Sequence, residues 1–480
     1  MGCGVAGCVG ENASFFVYHS LLQLQHRGED TTKILSFDDR HYEYGGVGQV
    51  SHVYSKEALS SLKGNYAIGQ VRYPTVGKYD DPKEKLRDAP PLWTDSPCFL
   101  ALAHNGDMPK ESYNVLRKKL ESEGFYFKTN SDLEITEKIL AKGLRKNIKN
   151  NLENEDIFNA IEYTMRRVPA AYSITGIVSK EGETKLIGFC DPQKVRPLVF
   201  GKSSNLQIIA SESPAVDVLS NVLNENFETF EIKGGEAIIL EEGKEPEKKR
   251  LIEVQPKHCS FEYTYFARPD SIENEISIYN VRFNLGQIHG KRNKFKADAV
   301  LPIPNSGRIY DKGFSSTSGI PSVEAYYKNP YIGRAFIRPP SIREEVSRVK
   351  SNPIKHLISG KDIIITEDSI VRGLNSKNNN DSLRKFGAKK IYGIIATPPL
   401  VEVCEWGIDM KDPNAFAARG KSEEEIAKLC GYDGLSYSTI DELVEAIGLP
   451  KDHLCLKCIG GDGPEKGFDK YIIPINDPNF

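Results

Sequence analysis

Apolar and polar positions follow two different rhythms along this chain. Residues 3–10 (CGVAGCVG) are small and apolar, which predicts a short buried strand, and residues 14–26 (SFFVYHSLLQLQH) carry apolar positions at helical spacing. A polar turn follows at Arg27-Gly28-Glu29-Asp30. Residues 67–73 (AIGQVRY) and 99–104 (FLALAH) read as strands, the second closing on the turn signal Asn105-Gly106. Ser112–Glu123 and Asp132–Gly143 read as helices. Strand-like runs then continue through YSITGIVS, LIGFCD, RPLVFG, LQIIAS and EAIIL to residue 241.

The run GKEPEKKR (243–250) is charged and contains Pro, which predicts a solvated linker. The rhythm changes after it. An apolar strand over Lys296–Pro304 ends in Asn305-Ser306-Gly307, and another over Lys361–Thr366 ends in Glu367-Asp368. A Gly-containing loop, a helix over Asp381–Gly387 and a strand in IYGIIAT follow. Strand, loop, helix and strand make a parallel βαβ unit, so the second half is α/β. The tail, 450–480, is short and polar.

Composition narrows the picture. At roughly 150 residues per domain, 480 residues suggest about three domain-sized units or two large ones. Lys+Arg of 63 against Asp+Glu of 66 leaves a formal charge of −3, which gives no electrostatic case for nucleic acid or an anionic membrane. No apolar run approaches the roughly 18 residues of a membrane span. The opening residues have neither the basic start of a signal peptide nor, at Ala6, the hydroxyl of a myristoylation signal. Nine scattered cysteines fit a reducing compartment, and a cytoplasmic location is expected.

Several residues offer chemistry. Cys3 stands almost at the chain start. If processing exposes it, its own α-amine can serve as base for its thiol; otherwise it is an ordinary buried strand cysteine. Arg72 follows a strand and suits a carboxylate. The Asn105 side chain and Gly106 N–H suit an oxyanion. Asp132 opens a helix, as an N-cap or as a grip on an ammonium group. In IIITEDSIVRGLNS (363–376) a strand ends in paired acids, then a tight loop with Ser369, Arg372, Gly373 and Ser376 leads into a helix. Strand-end acids suit ribose hydroxyls or a magnesium-bearing sugar phosphate, and the loop N–H groups suit phosphate. Cys455-Leu456-Lys457-Cys458 alone reads as redox, metal-binding or neither.

Together these strings resemble a family. CGVAG, LQHRGED (24–30), VRYPT (71–75), AHNGD (103–107) and NSDLEI (130–135) are similar in order to class II glutamine amidotransferase domains. More closely they resemble the glutaminase half of the amidophosphoribosyltransferase family, with RPLVFG, ASESPAVD and GGEAIIL extending the likeness. FEYTYFARPDS (261–271), LPIPNSG (301–307), YIGRAFIRPPSIR (331–343), VKSNP (349–353), the 363–376 string and GIDM (407–410) continue it through the second half.

The resemblance implies an N-terminal-nucleophile hydrolase αββα sandwich over 3–241, a type I phosphoribosyltransferase α/β domain over 255–448 and a cluster-binding tail over 449–480. It implies glutamine hydrolysis with transfer of ammonia to phosphoribosyl pyrophosphate, giving 5-phosphoribosylamine, the first step of purine synthesis. Cys3 would be the nucleophile, Asn105 and Gly106 the oxyanion donors, Arg72 the carboxylate ligand and Asp132 the ammonium ligand. Ser306, Glu367 and Asp368 would place Mg2+ and the ribose, and Ser369, Arg372, Gly373 and Ser376 the 5′-phosphate. Lys350 and Arg334 would meet pyrophosphate or effector phosphates, with 331–343 as a closing flap. Four cysteines, Cys259, Cys404, Cys455 and Cys458, fall where the iron–sulfur branch carries a [4Fe–4S] cluster; spacing alone leaves zinc equally open. Purine nucleotides as feedback inhibitors and a homodimer or homotetramer are further implications.

The chain departs from the family pattern at several points. Glu29 stands for Gln, Thr31-Thr32-Lys33 for a small-residue stretch, Glu367-Asp368 for Asp-Asp and Leu374-Asn375 for two threonines. Asp191-Pro192-Gln193-Lys194 replaces a turn that usually reads DPHG. Gly2 separates Met1 from Cys3, so the α-amine reaches the thiol only if both residues are removed. These departures support an alternative: a catalytically degenerate paralogue acting as a regulatory or binding subunit, or as a glutaminase only.

Overall fold

The structure, a computed structural model, describes residues 2–73, 81–148, 151–328, 351–475, 477 and 480. The chain divides into two units. The first takes Met1–His258, Cys404–Asp409 and Gly463–Phe480; the second takes Cys259–Val403 and Met410–Asp462. The tail is therefore shared out, its last residues returning to the first unit.

Thirteen strands build two sheets in the first unit: β1 (Gly4–Val9), β2 (Thr31–Phe37), β3 (His41–Val47), β4 (Tyr66–Arg72), β5 (Leu92–Thr94), β6 (Phe99–Asp107), β7 (Ala171–Lys180), β8 (Glu183–Cys190), β9 (Val199–Lys202), β10 (Gln207–Ala210), β11 (Glu228–Glu231), β12 (Glu236–Leu240) and β13 (Glu247–Arg250). One sheet runs β11-β9-β10-β1-β4-β2-β3 and the other β13-β12-β8-β7-β6-β5. Strand alternation explains the layering. Val5 and Val9 of β1 pack with Ile68, Ala101, Ala103 and Ile177 in a core between the sheets, while Ala6 and Cys8 face Val17, Leu21 and Leu219 of the helices Ala13–Gln23 and Pro214–Leu223. Leu100 and Leu102 of β6 turn outward onto Leu133, Ile139 and Ile157 of the helices Asp132–Asn147 and Asn154–Met165. Two sheets between two helical layers are the αββα sandwich.

The charged run expected as a linker contains β13, paired antiparallel with β12 from Glu236 to Ile239. All four of its residues are exposed, as an edge strand with charged side chains can be. Strands β2 and β3 had no distinct signal in the sequence.

In the second unit four parallel strands, Ala299–Pro302, Asp362–Glu367, Lys390–Ile395 and Gly434–Tyr437, lie side by side in chain order. Leu301, Ile363, Ile365, Ile391 and Ile395 join Leu383 and Ile426 in one core. The helix expected over 381–387 begins earlier, at Leu374, and runs to Lys385. Gly373 precedes it with φ of 76°, a left-handed conformation that suits glycine, and a Cβ there would lie 2.9 Å from the Cys430 sulfur. Among the described residues no helix is long and apolar enough to cross a membrane.

Candidate active site

In the first unit, alternation sends four side chains to one place. Val5, Ile68, Gln70 and Arg72 leave their strands on the face turned to the other sheet, and Cys3, two residues before Val5, shares it. Cys3 is buried, and its thiol donates to the Tyr73 carbonyl at 3.7 Å. Burial pushes this thiol up; contact with the Tyr73 backbone, the Arg72 charge and Gln70 oppose that, and Asp132 adds to it. Arg72 lies 3.9 Å from Asp30, which Lys85 also contacts at 2.7 Å.

Strand β6 brings His104, Asn105 and Gly106 from the facing sheet. Asn105 is fully buried, and among the described residues neither its amide nitrogen nor its oxygen has a hydrogen-bond partner. Buried polar groups are normally paired, so an unmatched buried amide is a candidate for binding a ligand atom. Gly2 lies against it: a Cβ on Gly2 would fall 2.7 Å from Asn105 Oδ1. Asn105 Oδ1 therefore lies beside the residue that precedes Cys3 in the chain. Gly106 leaves no room for a side chain, since a Cβ would lie 2.0 Å from the Ala171 carbonyl oxygen. Asp132 opens the helix Asp132–Asn147, accepts the Met108 N–H at 3.0 Å and lies 3.4 Å from His104 Nε2. Of the expected residues, Cys3, Arg72, Asn105, Gly106 and Asp132 are thus gathered at the ends of β1, β4 and β6. Gln70 escaped the sequence reading; its only signal is that it shares the strand face of Arg72.

In the second unit the C-terminal ends of the strands gather the acids. Asp368 accepts hydrogen bonds from Ser306, which precedes the helix Gly307–Ser318, and from Ser369 at 2.8 Å. Burial raises its carboxyl and these two hydroxyls oppose the shift. Glu367 takes a different path from the one expected. Its carboxyl is buried between the Ser376 hydroxyl at 2.9 Å and the Tyr432 hydroxyl at 3.0 Å, and burial pushes it up to about 7. The extra methylene of Glu over Asp gives the reach to turn inward. The Ser376 hydroxyl, expected on a phosphate, is consequently occupied by Glu367, and Ser376 is only 2% exposed. Arg372, Leu374 and Asn375 are exposed at the loop. Lys350, Arg334 and the 331–343 segment lie outside the described residues.

All four cysteines of the expected cluster are buried, and no cysteine of the chain is in a disulfide. Cys404 belongs to the first unit, where it accepts the Trp406 N–H at 3.4 Å. In the second unit the Ser260 hydroxyl donates to the Cys455 carbonyl at 2.9 Å, and Val401 N–H to the Cys458 carbonyl at 2.9 Å. Among the described residues no group of three or more His, Cys, Asp or Glu side chains is arranged to hold a metal ion.

No family model matches the chain. Curated sequences do. An amidophosphoribosyltransferase of Archaeoglobus fulgidus is 35% identical over 469 residues, covering 96% of this chain and 98% of its own. The chain belongs to the amidophosphoribosyltransferase family. The Bacillus subtilis member is 31% identical over 481 residues, covering 98% of this chain and 96% of its own. A solved structure, glutamine phosphoribosylpyrophosphate amidotransferase from B. subtilis complexed with ADP and GMP, has a TM-score of 0.83 at 31% identity and covers 96% of this chain and 97% of its own. The fold is accordingly an N-terminal-nucleophile glutamine amidotransferase domain followed by a type I phosphoribosyltransferase domain. Amidophosphoribosyltransferases are pentosyltransferases with glutamine amidotransferase activity, and this chain is an enzyme of that class.

Proposed function

We propose that this chain hydrolyses glutamine and transfers the ammonia to phosphoribosyl pyrophosphate, releasing 5-phosphoribosylamine, glutamate and pyrophosphate in the first step of purine synthesis. The observation that carries this is likeness over nearly the whole chain to curated amidophosphoribosyltransferases, 35% identical over 469 residues. Cys3 attacks the glutamine side-chain amide as thiolate. The unmatched Asn105 amide and Gly106 N–H take the oxyanion, a kind of preorganised donor pair that stabilises the transition state. Arg72 holds the α-carboxylate and Asp132 the α-ammonium.

At the second site Asp368, oriented by Ser306 and Ser369, takes the ribose and one magnesium position. Magnesium keeps several waters and leans on one or two carboxylates plus substrate phosphates, so the inward turn of Glu367 still leaves a workable donor set. A magnesium ion held there by Asp368 would supply positive charge to offset that of the departing pyrophosphate. Arg372, the Gly373 N–H and the start of the Leu374–Lys385 helix, which has no acidic residue in its first turn, receive the 5′-phosphate. Lys350 and Arg334 meet pyrophosphate. Cys259, Cys404, Cys455 and Cys458 carry a structural [4Fe–4S] cluster. A cytoplasmic homodimer or homotetramer inhibited by purine nucleotides fits the same reading.

The test is glutamate release dependent on phosphoribosyl pyrophosphate, with Cys3→Ala as control. Cys3→Ala is expected to lose the glutamine-dependent reaction and keep the ammonia-dependent one. The inward Glu367 and exposed Leu374 favour a second reading, a glutaminase only; glutamine hydrolysis with no phosphoribosylamine from either nitrogen source would establish it.

A further inference from the structure

Gln70 is buried at 1% exposure in the layer between the two sheets of the first unit. Val5 lies directly opposite it on β1, so Cys3 is its diagonal neighbour on the same face, within reach of a long side chain. Its amide is oriented from the facing sheet: Oε1 accepts the His104 backbone N–H at 2.9 Å. Exchanging the two ends of the amide would set two N–H groups against each other, so Nε2 is fixed as the other end. Among the described residues that Nε2 has no hydrogen-bond partner in the resting thiol state.

The resting arrangement serves a thiol. The Cys3 S–H donates to the Tyr73 carbonyl. Once the proton leaves, the sulfur needs donors. We infer that Gln70 Nε2, clamped by the His104 N–H, is the reserved donor that holds the Cys3 thiolate in line for attack. The Arg72 charge supplies the second, longer-range component. Gln70 already lowers the proton affinity of the thiol against the effect of burial. Hydrogen bonds of this kind are often long in the resting state and tighten along the reaction. A neutral amide suits the task because it donates without competing for the proton.

This inference rests on Cys3 as the nucleophile, and the experiment separates the two. The rate of Cys3 alkylation by iodoacetamide is followed against pH by peptide mass in the full chain, beside glutamine- and ammonia-dependent turnover. Gln70→Met is expected to raise the alkylation midpoint by about one pH unit and to lower glutamine-dependent kcat about tenfold, the same factor in thiolate. KM for glutamine and ammonia-dependent turnover stay unchanged. Gln70→His, whose ring offers one acceptor and one donor, restores the midpoint. If Gln70→Met does not fold, Gln70→Glu, which keeps the acceptor for His104, must move the midpoint in the same direction. An unshifted midpoint, or an equal shift in Gln70→Met and Gln70→His, overturns the role of Gln70. A Cys3→Ala chain that still hydrolyses glutamine overturns the nucleophile reading instead.

Discussion

The Tyr432 hydroxyl lies 3.0 Å from Oε1 of Glu367, at the end of the strand that carries the second site. With Ser376 on the other oxygen, this carboxyl pins the strand end to the following helix and to the segment before Gly434–Tyr437. Burial holds it at about 7. A carboxyl raised in the fold favours the protonated state, so its contribution to stability is full below the unfolded value and is lost as pH rises through about 7. Glu367→Gln is expected to flatten the fall in melting temperature between pH 5 and pH 8, by an amount on the order of 3 kcal/mol at most. Asp311, pushed up to about 6 by burial, and Asp191, to about 7, contribute in the same direction, so the difference between variant and parent is the quantity to read. Identical pH profiles would remove Glu367 from this account.

Asn105 gives a sharper kinetic expectation. Removing one oxyanion donor costs about 100- to 1,000-fold in kcat in comparable acyl transfers. Asn105→Ala should show that loss with glutamine, little change in KM, and normal turnover with ammonia. A change confined to KM would assign Asn105 to ground-state binding.

A Cβ on Gly2 would lie 2.7 Å from Asn105 Oδ1, so Gly2 stands close to the amide proposed to receive the oxyanion. A chain starting at Cys3 should hydrolyse glutamine and alkylate at Cys3 near neutral pH faster than one retaining both residues, because its α-amine serves as base while burial disfavours the thiolate otherwise. Intact mass identifies the two forms. Equal rates in both would separate the amine from the chemistry.

The cysteines make a visible prediction. Protein prepared without oxygen should be brown, contain iron and sulfide, and bleach in air. Cys455→Ser or Cys458→Ser should lose the colour and lower the melting temperature. A colourless, zinc-loaded protein would replace the cluster with a tetrahedral thiolate site.

Much of the first site was legible because its residues close strands or open helices, where punctuation is strong. Cys3 precedes β1 and Asp132 opens a helix, whereas Asn105-Gly106, expected as a turn, lies inside β6, which runs on to Asp107 paired with β7. Gln70 was not, because a polar residue inside a strand looks like one solvent-facing position until the second sheet is known to cover it. Glu367 was read with Asp368 as one acidic pair, yet opposite strand faces send one inward and leave the other half-buried at the crevice. Nothing in Gly-Tyr-Asp at 431–433 announces that Tyr432 would receive it. The charge run at 243–250 misled for the converse reason: a sheet edge tolerates the side chains of a linker.

The return of Gly463–Phe480 to the first unit bears on how the protein is made. Tyr471 and Phe480 join the core beneath the helix Asn154–Met165, and the oxygen of Phe480 accepts from Arg167 and Tyr163 at 3.0 Å. Residues 1–258 leave the ribosome long before those partners do, by tens of seconds at ordinary elongation rates. The unit whose first residues are translated first is therefore completed only after the second unit has been made, and its core waits, partly open, for residues 463–480.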